Sequence, residues 1–533
     1  MPRGADPADS SVELLELRVL DGPNRFFTRP AVKLEFAGKQ PGEADEVSAA
    51  AAQAVKRLHD ALDLPEPRIT MRHSVDGLRT AVAFAWRRRA VAQAIGAAAV
   101  RLALGRSTDR REVAALRATA HGPLSHLPKP RIPIVAVTGT NGKSTTTRLI
   151  AHIAAEAGMK VGMTNSDGIF VRGELVEAGD WTGFGGAARV LAEPGLDLAV
   201  LETARGGILL RGIGYAANDV SVVTNVSADH LGLQGIDTVE ELAEVKGVIV
   251  RITRRDGWAV LNADDDLAWG MRRVTRANLY AFSLDPRSSR IERVLDAGGR
   301  AAVLEEGTLV LRGAGRRPRR LAPAAELPVT VAGLSRYNIA NALAAAAACD
   351  ALGVSTARVR RGLRSFAQDA SANPGRLNLY ERRGVFAVVD FAHNEAGLAG
   401  LMDVSRAVAG RRKVRLAFGT AGDRTDEILH ALGRIAGSAD DLVIAEKVHY
   451  LRGRDREEMN ELLRHGAREG GYDGEIEAFP NEMSAFQALI GRARRGDVCA
   501  VMAHVERTEL FDWLASEGFK PVGPDRLREA VEG

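Results

Sequence analysis

Between Ile132 and Ile153 the chain reads "IPIVAVTGTNGKSTTTRLIAHI": an apolar run, a glycine-bearing turn, a lysine and a helical stretch. An apolar run that stops at glycine and resumes as a helix reads as a buried strand feeding a helix, the unit from which parallel α/β sheets are built. Gly139 and Gly142 let the backbone turn its N–H groups toward a polyphosphate, and the following helix offers its positive N-terminal end. Lys143 can span the outer phosphates, and the hydroxyl of Ser144 can ligate Mg2+. An ordinary βα turn with a surface lysine is the bland alternative, yet strand, glycines, Lys-Ser pair and helix all occur in order. The loop departs from the usual G-x-x-x-x-G-K-[ST] pattern at one place, where Val137 stands instead of glycine.

The same alternation continues downstream. "LDLAVLE" and "DVSVVTNVS" are short apolar runs typical of buried parallel strands, "VEELAEVKGVIVRI" has helical spacing, and "GWAVLNADD" is another strand ending in acids. Residues 285–330 differ, with alternating segments such as "RAAVLEEGTLVLRG" that predict a hairpin-rich appendage. After an Ala-rich helix, "NIANALAAAAACDAL", the runs "VFAVVDFA", "KVRLAFG", "DLVIAEK" and "DVCAVMA" predict a second doubly wound unit. Upstream, "VELLELRVL" and "AVKLEFAG" predict strands around the turn "DGPN". "EVSAAAAQAVKRLHDAL" and "AVAQAIGAAAVRLALG" predict helices, and the proline-rich "HGPLSHLPKPRIP" a linker.

A length of 533 residues suggests three or four domains, and 46% hydrophobic with 26% charged residues suffices for real cores. The organisation read from these patterns is an N-terminal domain and linker over 1–130, a central domain over 131–332 and a C-terminal domain over 333–533. The formal charge of +4 is near balance, so no nucleic acid is expected as partner, and the arginine runs "WRRRAVAQ" and "RGAGRRPRR" read as solvated faces. Without ~18 uninterrupted apolar residues no membrane span is expected. The N-terminus has no apolar core of a signal peptide. Cys349 and Cys499, far apart in apolar contexts, read as buried free thiols of a reducing compartment. The chain is expected to be soluble and cytoplasmic.

The loop Gly-Thr-Asn-Gly-Lys-Ser resembles the ATP loop of the Mur ligase superfamily of ATP-dependent amide ligases, which includes folylpolyglutamate and cyanophycin synthetases. "VLETARGGILLRG" is similar to the cyanophycin synthetase segment with the family's metal-ligating glutamate, here Glu202. "NVSADHLGLQGIDTVEELAEVKG" resembles the segment with its metal-ligating histidine and carbamylated lysine, here His230 and Lys246. "SANPGRLNLYE", "DFAHNEAG" and "GTAGDRTDE" resemble its C-terminal ATP-contacting segments, and "LRVLDGPNRFFTRPAVKL" the start of its N-terminal domain. The resemblance implies an α/β protein of three domains: a small α+β N-terminal domain, a central P-loop Mur-ligase-type ATPase domain and a C-terminal Rossmann-like α/β domain. There is one large departure. Cyanophycin synthetases carry an ATP-grasp module between their N-terminal and Mur-like parts, and here only the linker around Pro123 to Pro133 fills that gap.

The resemblance further implies ATP and Mg2+ as cofactors. Thr140, Asn141, Gly142, Lys143, Ser144 and Thr145 would cradle the phosphates, and Ser144 would hold one Mg2+. Glu202 and His230 would hold a second, faced by Lys246 as a carbamate. Arg376 would meet the γ-phosphate, Asp390 the ribose hydroxyls, and His393 the nucleotide. Asn262, Asn338 and Asn341 are candidate nucleotide neighbours, with caps and turns as their ordinary alternative. Thr182, in "GDWTGFGG", and Arg205 fall in the acceptor region. Asp423, Arg424 and Asp426, in "GDRTDE", are candidates for the incoming amine together with "KVHYLRGRD". There Val448, His449 and Tyr450 replace a more acidic stretch and leave the amino acid open. The implied activity joins an amino acid or amine to a carboxylate acceptor that another enzyme makes, a separate ATP-grasp ligase among the candidates; a homo-oligomer is left open. A small-metabolite ligase of folylpolyglutamate type and an inactive nucleotide-binding scaffold are the alternatives. Retention of Lys143, Ser144, Glu202, His230 and Lys246 together argues against the scaffold.

Overall fold

The run "IVAVT" forms the strand Ile134–Thr138, buried at every position. A strand covered on both faces has no need to alternate polar and apolar side chains, which is why its sequence is continuously apolar. The structure is a computed structural model that describes residues 11–119, 122–125, 127–128, 130–229 and 231–532. The chain divides into two compact units. One comprises Met1–Gly139, Met159–Ala259 and Asp266–Asn278, the other Thr140–Gly158, Val260–Asp265 and Leu279–Gly533.

In the first unit an antiparallel sheet has the order Val12–Leu20, Ala31–Gly38, Arg79–Ala85, Ile69–His73. Its strands alternate. Val32, Leu34 and Phe36 turn inward onto the helices Glu43–Ala61 and Arg89–Ala103, building a core with Ala51, Val55, Leu58 and Ile95. Lys33 and Glu35 turn to the other face, as the two-residue period of a strand requires. The pairing Ile69–His73 with Arg79–Ala85 was not read from the sequence, whereas the first two strands and both helices were.

The same unit holds the parallel strands Asn218–Val223, Ile134–Thr138, Leu198–Glu202 and Val161–Asn165, adjacent in that order. An antiparallel hairpin, Gly168–Val171 and Glu174–Ala178, follows at the edge. The segment expected to be one helix around Lys246 is two, Val239–Lys246 and Val248–Arg251, parted at Gly247. Part of the proline-rich linker, including His121, His126 and Lys129, lies outside the described residues.

In the second unit the helix Lys143–Glu156 packs with Arg336–Ala351 and Thr356–Ser365. Gly362 lies so close that a Cβ there would come within 2.8 Å of Ile153. The appendage is present: Arg300–Glu305 and Thr308–Gly313 form a hairpin that Arg319–Pro323 extends. The C-terminal sheet has the order Glu477–Phe479, Asp441–Ala445, Val414–Phe418, Val498–Met502, Val385–Asp390, Asn378–Arg382, Lys520–Pro521. The first five are parallel and the last two antiparallel additions. Val388, Leu416 and Ala500 face one helical layer with Leu398, Leu429 and Leu463, while Val389, Ala417 and Val501 face another with Phe486 and Leu510. Helices on both faces make this the doubly wound unit expected.

Cys349 and Cys499 are buried free thiols. Among the described residues no helix is long and apolar enough to cross a membrane.

Candidate functional site

The strand Ile134–Thr138 ends at Gly139, where the chain must turn hard against its neighbour. A Cβ at Gly139 would lie 1.9 Å from the Thr224 hydroxyl oxygen, so no residue but glycine fits. Two chemically active side chains converge on this strand end within the first unit. Glu202, 3% exposed, is the last residue of Leu198–Glu202 and stands in register with Val137. Around it, Thr203 donates its N–H to the Val137 carbonyl (2.8 Å), and the Thr138 hydroxyl donates to the Thr203 carbonyl (2.7 Å). Lys246, 4% exposed, closes the helix Val239–Lys246, and its Nζ donates to the Gly139 carbonyl at 2.6 Å. That helix starts at a capping box, in which the Thr238 hydroxyl accepts from Glu241 N–H and the Glu241 carboxylate accepts from the Thr238 N–H. Its start is therefore fixed, and with it the reach of Lys246.

The acceptor-region residues lie in the same unit. The Thr182 hydroxyl donates to Asp180 Oδ1 at 2.6 Å, and its carbonyl accepts from the N–H of Ala204, which precedes the helix Arg205–Leu210. Arg205 donates to the Leu233 carbonyl at 2.7 Å, holding the turn that follows position 230. Burial pushes its guanidinium below the ordinary value and the nearby Asp229 charge opposes this. His230 itself lies outside the described residues.

In the second unit, Gly142 has a left-handed φ of +83° and carries no Cβ that could collide with Asn341, whose Oδ1 a Cβ would meet at 2.2 Å. Lys143 Nζ donates to the Thr140 carbonyl at 2.8 Å. Thr140, Ser144 and Thr145 are buried, and the Thr145 hydroxyl accepts from Asn373 Nδ2 at 3.4 Å. Asn141 and Asn394 exchange amide hydrogen bonds of 3.2 and 3.0 Å, and Asn394 Oδ1 also caps the helix Glu395–Ala409. The loop is thus held by side chains from segments more than two hundred residues downstream. Asn341 Nδ2 donates to Asn338 Oδ1 at 3.0 Å, so these two act as a pair beside the loop.

Arg376 lies over the Phe391 ring, 4.6 Å from its centroid, a cation–π arrangement. Asp390, 7% exposed, accepts from the N–H groups of Leu377 and Ala392, each at 2.7 Å. Burial pushes its carboxyl above the ordinary value, against the pull of the Arg376 charge and those two N–H groups. His393 donates through Nδ1–H to the Phe391 carbonyl, 3.1 Å away. Arg376, Asp390 and His393 therefore gather around Phe391. Asn262 Oδ1 accepts from the Asp264 N–H at 2.9 Å, closing the turn after its strand. Asp423 pairs with Arg452, and Asp426 pairs with Arg454 at 2.5 Å, while Arg424 is 8% exposed. These ion pairs bring "GDRTDE" and "RGRD" together.

Sequence reasoning missed Asn373, Phe391 and Asn394, although each lies inside a quoted motif. An asparagine before "EAG" is an N-cap signal, and Asn394 could have been found by it. It also missed Lys447 and Glu482, a fully buried ion pair whose carboxylate additionally accepts from the N–H groups of His504, Val505 and Glu506.

The family comparisons fit this geometry. Residues 137–349 match the Mur ligase middle domain, and residues 375–505 the Mur ligase glutamate ligase domain. The chain belongs to the Mur ligase family. The cyanophycin synthetase of Crocosphaera subtropica is 39% identical over 371 residues, covering 70% of this chain and 42% of that protein. The chain thus spans less than half the length of this relative. The UDP-N-acetylmuramoyl-L-alanyl-D-glutamate–2,6-diaminopimelate ligase of Geobacillus kaustophilus is 28% identical over 412 residues, covering 74% of this chain and 77% of that one. Among solved structures, E. coli FolC in complex with DHPP and ADP shares the fold, with a TM-score of 0.54 and 19% identity, covering 73% of this chain and 90% of that one. The Mur ligases and cyanophycin synthetases are ATP-dependent ligases, and the departure expected from the sequence stands: among the described residues no helix or strand lies between Arg117 and Ile134, where an ATP-grasp module would sit.

Proposed function

We propose that this Mur ligase family protein is an ATP- and Mg2+-dependent ligase that activates a carboxylate of a peptide-like acceptor, aspartate-containing acceptors included, and joins it to an amino acid or amine. The observation that carries the reading is the convergence of Glu202 and Lys246 on the end of the strand that feeds the glycine loop. An ordinary nucleotide-binding turn has no need to bury a carboxylate and an ammonium there.

A carboxylate is a poor electrophile. In the proposed reaction its oxygen attacks the γ-phosphorus of ATP, the bond to the β-phosphate oxygen breaks, and ADP leaves behind an acyl phosphate. The amine then attacks the acyl carbon, phosphate departs, and the amine's proton is released. Both steps depend on positioning and charge neutralisation. The donor set suits the groups required: glycines at Gly139 and Gly142 where a Cβ has no room, and hydroxyl and carboxylate oxygens for a hard cation. Mg2+, when bound, neutralises phosphate charge.

The residue roles are part of the proposal. Thr140 to Thr145 cradle the phosphates, with Lys143 against the outer ones and Ser144 toward one Mg2+. Glu202 and His230 serve a second Mg2+, and Lys246 faces it once a neutral amine has taken up CO2 as a carbamate. Arg376, seated over the Phe391 ring, serves the transferring phosphoryl group. Asp390 keeps lone pairs for the ribose, with His393 beside the nucleotide, and Asn262, Asn338 and Asn341 stand as nucleotide neighbours. Thr182 and Arg205 address the acceptor, whose acids suit a guanidinium. Asp423, Arg424 and Asp426 address the amine. The division into domains 1–130, 131–332 and 333–533, a cytoplasmic setting and supply of the acceptor by a separate ligase of the ATP-grasp class complete the reading.

The test is incubation of the purified protein with ATP, Mg2+, a short aspartate-rich peptide and pooled amino acids, followed by intact-mass measurement. An ATP-dependent gain of one amino acid less water supports the reading and names the amino acid. ATP hydrolysis triggered by another carboxylate moves the acceptor, with the folylpolyglutamate-type reaction the next to try. Absence of ATP turnover with every acceptor overturns the ligase in favour of a scaffold.

A further inference from the structure

Far along the C-terminal unit two helices meet in an unusually close approach. In Asp426–Ala436 and Arg456–Glu469 the contact is made by glycines. A Cβ at Gly433 would lie 2.3 Å from the Leu463 carbonyl oxygen, and one at Gly466 would lie 2.1 Å from that of His430. Backbone therefore rests on backbone, and side chains flanking the contact have little freedom to separate.

Three metal-ligating side chains flank it. His430 projects from the first helix, and His465 and Glu469, one turn apart, from the second. His430 Nε2 and His465 Nδ1 are 2.9 Å apart, and Glu469 places one carboxylate oxygen 3.4 Å from the former and the other 3.9 Å from the latter. Four ligands at tetrahedral bonds of about 2.0–2.1 Å to Zn2+ sit roughly 3.3 Å from one another. The imidazole–imidazole separation and the shorter carboxylate–imidazole one bracket that value, and one donor atom from each residue lies within 4.8 Å of the other two, so rotation of the exposed Glu469 side chain brings a single carboxylate oxygen to an ion between the rings. A hydrogen bond between the imidazoles explains the short N–N distance alone, but it does not explain the carboxylate turned to both rings.

We propose that His430, His465 and Glu469 form a site for a borderline divalent cation, Zn2+ foremost, which ties the two helices together. Two imidazoles and one carboxylate suit Zn2+ and disfavour Mg2+ and Ca2+, which prefer all-oxygen shells. His465 and Glu469 are exposed, so the fourth position belongs to water. The helices joined in this way are those that follow the loops containing Asp423 and Arg452.

The experiment uses the full chain, stripped with a chelator and titrated with Zn2+ against a chromophoric competitor in excess Mg2+, which occupies the hard-oxygen sites. One equivalent of Zn2+ per chain is expected, and His465→Ala should weaken it by at least about 100-fold, more than loss of an outer-shell partner does. His465 lies on the surface, so the variant is expected to fold; Glu469→Gln provides a second, isosteric variant with the same expected direction. Substitution by Co2+ should give the absorption of a tetrahedral site in the wild type and lose it in both variants. Equal Zn2+ affinity in wild type and variants, or no binding in excess Mg2+, overturns the proposal.

Discussion

Replacing Gly142 by alanine tests the phosphate loop at its tightest point. The new Cβ would lie 2.2 Å from Asn341 Oδ1, in a backbone conformation with φ of +83°. Ordinary contact requires the amide to retreat by roughly 1 Å. That retreat costs the 3.0 Å bond from Asn341 to Asn338, about 1 kcal/mol net. The left-handed conformation adds about 1–2 kcal/mol for a residue with a Cβ. The loop can relieve this total of about 2–3 kcal/mol only by abandoning its native path, which weakens nucleotide binding by about 30- to 150-fold. A fluorescent ATP analogue titrated at fixed Mg2+ measures the loss. Gly158→Ala is the control: φ is +89° there but nothing lies within 4 Å, so it carries backbone strain without the collision. Nucleotide affinity in Gly142→Ala within a few-fold of wild type, or an equal loss in Gly158→Ala, would refute the reasoning.

Other perturbations probe separate links. Lys246→Ala should lower turnover at saturating ATP by at least about 100-fold, the scale for removing a group that acts on developing charge; an active variant removes Lys246 from the reaction. Glu482→Gln leaves Lys447 a buried cation without a counter-charge and should destabilise the second unit by about 3–5 kcal/mol, read by denaturant unfolding. Burial, with the Lys447 charge second, holds His504 well below the ordinary imidazole range, so the folded protein resists a proton that the unfolded chain accepts. Stability should therefore be full above about pH 6.5 and decline as pH falls below it; His504→Gln should flatten that segment of the unfolding profile, and an unchanged slope would assign it to other groups.

Much of this was legible in the sequence because the strands at issue are buried on both faces. The strands Ile134–Thr138, Leu198–Glu202 and Val385–Asp390 are apolar up to their last residues, so each strand could be read together with the glycine loop after Thr138 or the candidate residue, Glu202 or Asp390, at its end. The strands Ile69–His73 and Arg79–Ala85 could not, since the first has no buried residue and its polarity resembles a loop. Long-range partners were invisible for a different reason. That Asn394 meets Asn141, or Asn373 meets Thr145, depends on tertiary placement across more than two hundred residues, and asparagine is common in turns for local reasons. Asn262 shows the converse, a candidate whose Oδ1 accepts within its own turn.

The ion pairs of the first unit connect its antiparallel sheet to the helix Val239–Lys246. Arg25, from the turn between the first two strands, donates to Glu241 at 2.7 Å and to Glu244 at 2.9 Å. Arg72 pairs with the same Glu244, and Arg79 with Asp237 just before the capping box. Burial pushes the Glu241 carboxyl upward, yet the Arg25 charge and the N–H groups of Asp237 and Thr238 outweigh it and hold the group below its ordinary value. Exposed pairs of this kind contribute little, but Arg25 is itself 8% exposed and bridges two acids one turn apart. Three arginines from the sheet and its turn thus grip the first turns of the helix whose last residue is Lys246. The sheet does more than complete a core: it sets the position from which that lysine reaches the Gly139 carbonyl.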